Sequence, residues 1–140
     1  MVSMARTDKF REQHKKIGDI VKELQGIMSE KSLSDNPKQA VVLLGRLSGV
    51  IKLHLAMEDE SLYPNLAKSA DTKVKGVADK FIKEMGGIAK AYLAYADKWT
   101  DKAVKENPKG FISETNGIIK VLGERIQKEE SELYPLADAG

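Results

Sequence analysis

The chain has 140 residues, 41% hydrophobic and 31% charged, and 23 basic against 21 acidic side chains leave a net charge of +2. That length suits one domain around one core, and a near-neutral balance disfavours a dedicated nucleic-acid or anionic-membrane surface. Without cysteine there is no disulfide, thiolate metal site or cysteine nucleophile. The opening residues hold no apolar stretch of signal-peptide length, and no window is read as approaching the roughly 20 apolar residues of a membrane span. A cytoplasmic address is therefore expected, with neither nucleic acid nor membrane as a partner. Two histidines and no recognisable serine or aspartate motif leave little material for triad chemistry.

In chain order, breaks fall at Ser32-Leu33-Ser34-Asp35-Asn36-Pro37, at Lys68-Ser69-Ala70-Asp71 and at Glu106-Asn107-Pro108. Asparagine caps free N–H groups, and proline at a first helical position loses no hydrogen bond. Helices are predicted over 7–31, 37–67, 71–105 and 108–137, with Asp71 as a cap. Within them apolar residues recur at steps of four and three, one stripe to a helix. The first stripe is Phe10, His14, Ile17, Val21, Leu24 and Met28; the second is Leu44, Leu47, Ile51, His54, Glu58 and Leu62. The third runs from Val74 through Phe81, Met85 and Ile88 to an aromatic end at Tyr92, Tyr95 and Trp99, read as core packing. The fourth is Phe111, Thr115, Ile118, Leu122, Arg125, Glu129 and Leu133. The expected fold is all-α, an antiparallel up-down-up-down four-helix bundle forming a single domain over 1–140.

A shift of 71 positions aligns the chain with itself. Asp8-Lys9-Phe10 falls on Asp79-Lys80-Phe81, Asn36-Pro37-Lys38 on Asn107-Pro108-Lys109, and Leu62-Tyr63-Pro64 on Leu133-Tyr134-Pro135. The bundle thus reads as two helical hairpins, about 7–67 and 71–137. Glu58 falls on Glu129, but His14 falls on Met85 and His54 on Arg125.

His14, His54, Glu58, Arg125 and Glu129 are polar residues in core stripes, and helix arithmetic puts them near one level. A charge in a core costs several kcal/mol unless paired or bound to metal. Two arrangements answer that. A metal ion takes His14, His54 and Glu58 with Glu129 as a fourth ligand, a donor set suited to iron, zinc or manganese. Alternatively, the Arg125 guanidinium bridges Glu58 and Glu129 as an ion cluster that replaces the metal, leaving the bundle as an interaction module.

The segments Gln13-His14-Lys15-Lys16-Ile17 and His54-Leu55-Ala56-Met57-Glu58, with Leu62-Tyr63-Pro64 and its echo Leu133-Tyr134-Pro135, resemble the hemerythrin-like family with its HHE cation-binding members. The resemblance spans essentially the whole chain. It implies a four-helix bundle with a non-haem di-iron centre bridged by two carboxylates, used for dioxygen or nitric oxide binding, sensing or iron handling. His14, His54 and Glu58 match the first-half ligand positions, and Glu129 matches the second-half bridging carboxylate. Met85 and Arg125 stand where the second-half histidines belong, so the expectation is a reduced, mononuclear site in a binding protein rather than an enzyme. Tyr63 and Tyr134 are read as packing residues at the helix ends.

Overall fold

The computed structural model describes residues 7–139, and their side chains except at positions 59, 85, 86 and 139. The expected role of the Met85 side chain therefore lies outside the described residues. In chain order the elements are α1 (Asp8–Gly26), α2 (Glu30–Asp35), α3 (Pro37–Met57), a π-helical turn (Glu58–Leu62) and α4 (Tyr63–Ala67). They continue as α5 (Thr72–Lys98), α6 (Asp101–Glu106), α7 (Pro108–Lys128), a second π-helical turn (Glu129–Leu133) and α8 (Tyr134–Ala139). No strand occurs among the described residues, so the fold is all-α.

The starts at Pro37, Thr72 and Pro108 agree with the sequence reading, and Asp71 accepts from the Lys73 N–H at 2.9 Å. Two predicted helices are shorter than expected. The stretch 7–31 ends early because the Ser29 hydroxyl caps a new helix, accepting from Ser32 N–H at 3.1 Å. Likewise 71–105 is split where Thr100 caps α6 through Ala103 N–H at 3.2 Å. The wide turns have a local cause as well. The N–H groups of Tyr63 and Tyr134 reach back five residues to the carbonyls of Glu58 and Glu129. Pro64 and Pro135, next in the chain, have no N–H with which to continue the regular ladder.

Helix α1 packs on α3, α5 on α7, and α3 on α5, with α4 against α5. Thr7 joins the two ends of the chain, its hydroxyl 2.9 Å from the Asp138 carboxylate that also pairs with Arg11. Apolar burial forms two clusters. One holds Ile17, Leu24, Leu47, Ile51, Leu122 and the aromatics Tyr92, Tyr95, Trp99 and Phe111. The other holds Phe10, Leu62, Tyr63, Phe81, Leu133 and Tyr134. Along α1, α3 and α7 the polar stripe residues fall between members of the two clusters, so a buried polar layer divides the core.

One expectation is corrected here. The segment Pro37–Ala67 contains an 18-residue window of mean hydropathy 1.6, apolar enough by length and composition to cross a membrane. Its apolar character serves the core at Ala40, Leu43, Leu44, Leu47 and Ile51, and is increased by outward-facing Val42 and Leu53.

Candidate metal centre

The polar layer is built from α1, α3, α7 and the two π turns. His14 sits on α1 one turn after Phe10, His54 on α3, and Glu58 and Glu129 open the two π turns. Spacing of four puts His54 and Glu58 on one face. All four are buried, Glu58 and Glu129 at 0% exposure.

Their reactive atoms converge. His14 Nε2 lies 3.1 Å from His54 Nε2 and 3.3 Å from Glu129 Oε1. His54 Nε2 is 3.2 Å from Glu58 Oε1 and 3.8 Å from Glu129 Oε1. His14, His54 and Glu129 form the tightest set, with ligand atoms all within 4.8 Å of one another. The outer nitrogens are held from behind. His54 Nδ1 lies 2.7 Å from Gln13 Oε1, whose amide nitrogen in turn donates to Met57 Sδ. His14 Nδ1 lies 3.4 Å from Glu130 Oε1. An amide oxygen and a carboxylate only accept, so both Nδ1 atoms carry the hydrogen, and in neutral imidazoles both Nε2 atoms present lone pairs.

Four acceptor atoms therefore face one another. Despite lying within ion-pair range of imidazoles, Glu58 Oε1 and Glu129 Oε1 accept no hydrogen bond among the described residues. Tyrosines hold the other carboxylate oxygens: Tyr134 donates to Glu58 Oε2 at 3.0 Å, and Tyr63 to Glu129 Oε2 at 3.5 Å. Tyr134 also comes within 3.1 Å of His14 Nε2. The sequence suggests packing roles for these phenols, yet each reaches the carboxylate of the other half. Equal spacing from Glu58 to Tyr63 and from Glu129 to Tyr134 was the available signal.

In the absence of a cation, protons are the only way to relieve this crowding. Burial opposes charge on His54, but the Glu129 and Glu58 carboxylates outweigh it and lift its pKa to about 9. Burial raises Glu58 to about 7, despite its contact with His54. Glu129 goes the other way. Burial pushes it up, but His14 and His54 together bring it down to about 2.

Arg125 does not join Glu58 and Glu129, and the ion cluster expected from sequence is corrected. Its guanidinium is buried at 7% exposure, pairs through Nη2 with Glu84 of α5, and stacks 4.8 Å over the Phe81 ring. Glu84 wins because it stands 71 residues after Gln13, in the position that supports residue 54 in the first half. The Glu84 carboxyl is held below the usual range chiefly by Arg125. Arg125 Nε and Nη1 are buried and have no hydrogen-bond partner among the described residues.

The residues present fit a metal ion. Ligand bonds of about 2.1 Å in a tetrahedral site place ligand atoms about 3.4 Å apart, close to the 3.1, 3.3 and 3.8 Å found among His14, His54 and Glu129, and Glu58 Oε1 stands 3.2 Å from His54 Nε2. No curated protein and no solved structure matches the chain. The family model described as the hemerythrin HHE cation-binding domain matches residues 5–137. With that match covering every element of the polar layer, the chain belongs to the hemerythrin HHE cation-binding family.

Proposed function

We propose that this domain holds one non-haem transition-metal ion through His14, His54, Glu58 and Glu129, and uses it in sensing or in handling metal or a small ligand. The observation that carries this reading is the meeting of four lone-pair atoms in a fully buried layer, two of them orphaned carboxylate oxygens. A cation is the natural partner of such a set. Two imidazoles with two carboxylates suit iron, and also zinc or manganese; iron is the choice the family favours. Bound there, the ion supplies Lewis acidity and an electron-rich site for a diatomic such as dioxygen or nitric oxide.

The chain's own residues do the rest. Gln13 and Glu130 fix the imidazole tautomers, Tyr134 and Tyr63 hold the carboxylates, and the two apolar clusters exclude bulk water. Arg125 occupies the position that a further imidazole needs, which supports a single ion. Metal analysis of the purified protein tests the reading. About one ion per chain is expected in the wild type and none in His54→Ala; two ions per chain with an oxo-bridge absorption band would replace it with a di-iron centre.

A further inference from the structure

We propose that the outward face of α3 joins two copies of this chain in an antiparallel dimer, with Gly49 on the two-fold axis. Along α3, Val42, Gly45, Gly49, Leu53 and Ala56 recur at steps of three and four, and all five are exposed. That spacing sets them opposite the buried stripe of Leu44, Leu47, Ile51 and His54. Val42 at 47% and Leu53 at 56% are the most exposed large apolar side chains among the described residues. The repeat shows that the fold does not require them. Seventy-one residues on, α7 packs inside the same bundle, yet its matching outward positions hold Ser113, Asn116, Lys120, Glu124 and Gln127. A Cβ added at Gly45 or Gly49 meets nothing within 4 Å, so neither glycine serves packing within the chain. On a helix surface such residues let a second backbone come close.

The face is complementary to itself. In an antiparallel pair centred on Gly49, residues equally far before and after it meet across the interface. Leu53 then sits over Gly45 and Val42 over Ala56, large on small each time, and the two Gly49 residues face each other. Further out, exposed Lys38 meets exposed Glu60, so opposite charges close both ends of the contact. The other two cations, Arg46 and Lys52, flank the face on opposite sides, and the two-fold keeps them apart. A parallel pair would instead stack Leu53 on Leu53 and Lys38 on Lys38. The contact is isologous and therefore closes at two copies. One helix from each side makes a small interface, which places the dimer among weak, concentration-dependent ones.

The test is sedimentation of the full chain over a concentration series, joined to crosslinking by single cysteines. The chain has no cysteine of its own, so each introduced thiol reports one position. Wild type should pass from monomer to dimer at high micromolar concentration. Leu53→Glu should weaken the dimer about tenfold or more, because it buries an unpaired charge twice. The helix itself should tolerate that change, since Glu124 stands at the matching position of α7. With diamide as oxidant, Gly49→Cys should form a disulfide dimer much faster than Lys120→Cys, its counterpart in the second half. Thiols on the two-fold axis are the ones close enough to bond. A wild type that stays monomeric throughout, or a dimer indifferent to Leu53→Glu, overturns the proposal. So does equal crosslinking of the two cysteine variants. A monomer that floats with phosphatidylglycerol vesicles, and ceases to in Leu53→Glu, overturns it in favour of a lipid surface.

Discussion

In the first half of the chain, Gln13 holds the outer nitrogen of His54 and the Phe10 ring meets the imidazole edge-on at 5.9 Å. Seventy-one residues on, Glu84 holds Arg125 and the Phe81 ring lies under the guanidinium at 4.8 Å. The same three slots are filled in both places, and only the chemistry differs. A neutral amide acceptor holds the hydrogen on Nδ1 and turns Nε2 toward the centre. A carboxylate instead matches a permanent cation and draws it off the centre's own carboxylates. On the proposed metal reading, the residue at position 13 or 84 therefore helps its partner decide whether a half offers a ligand nitrogen to the centre.

The largest effect follows from exchanging those slots. Gln13→Glu with His54→Arg should give the first half the second half's chemistry and abolish metal binding, read as metal content after loading with Co(II) and desalting. The double variant should still melt cooperatively, because the new cation brings its own carboxylate. The converse pair, Glu84→Gln with Arg125→His, should raise metal content above one ion per chain when loaded with Fe(II). Unchanged content would mean that position 85, not the 84–125 pair, limits the second half.

Leu47 and Ile118, also 71 apart, make a packing version of the same comparison. Leu47 is buried at 1% exposure, whereas Ile118 is only half-buried and lines a groove between α5 and α7. Leu47→Ala should cost about 2–5 kcal/mol in urea unfolding, and Ile118→Ala distinctly less. Equal losses would show that the second hairpin is packed as tightly as the first.

Stripe spacing was enough to find the helices and the four acceptor residues, because a buried polar side chain stands out among apolar neighbours four and three apart. Arg125's partner was not legible that way. Glu84 lies off the apolar stripe and half-exposed, and its place 71 residues after Gln13 is the one signal the sequence carries for it. The caps at Ser29 and Thr100 were hidden inside continuous helical periodicity. The π turns escaped for another reason: one extra residue per turn shifts Tyr63 and Tyr134 inward, toward carboxylates that regular helical spacing would not let them reach.

The tyrosines give the next prediction. Tyr134→Phe removes the donor to Glu58 and the close neighbour of His14, leaving a buried carboxylate oxygen unmet at a cost of about 1–3 kcal/mol in the metal-free protein. Chemical denaturation with and without Zn(II) measures it. A metal ion that neutralises Glu58 should reduce the loss, so equal losses in both conditions would count against Glu58 as a ligand.

The smallest effect is the response of the metal-free protein to pH. His54 has a folded pKa of about 9 against 6.5 for the free side chain, so the stability it contributes is fully present below pH 6.5 and lost as pH rises through 9. Glu58, about 7 against 4.5, acts in the same direction, contributing below pH 4.5 and losing that contribution as pH rises through 7. Glu129, lowered to about 2, contributes above pH 4.5 and loses its effect only as pH falls toward 2. Because His54 and Glu58 share one crowded site, their shifts are not summed. The melting temperature of metal-free protein should fall by on the order of 5 °C between pH 6.5 and 9. A bound cation replaces those protons, so the stabilisation it brings should grow over the same interval. A His54→Gln variant should flatten the metal-free profile above pH 6.5. If the wild type is already flat there, the lone pairs of the centre are not sharing a proton and the two imidazoles are not held as described.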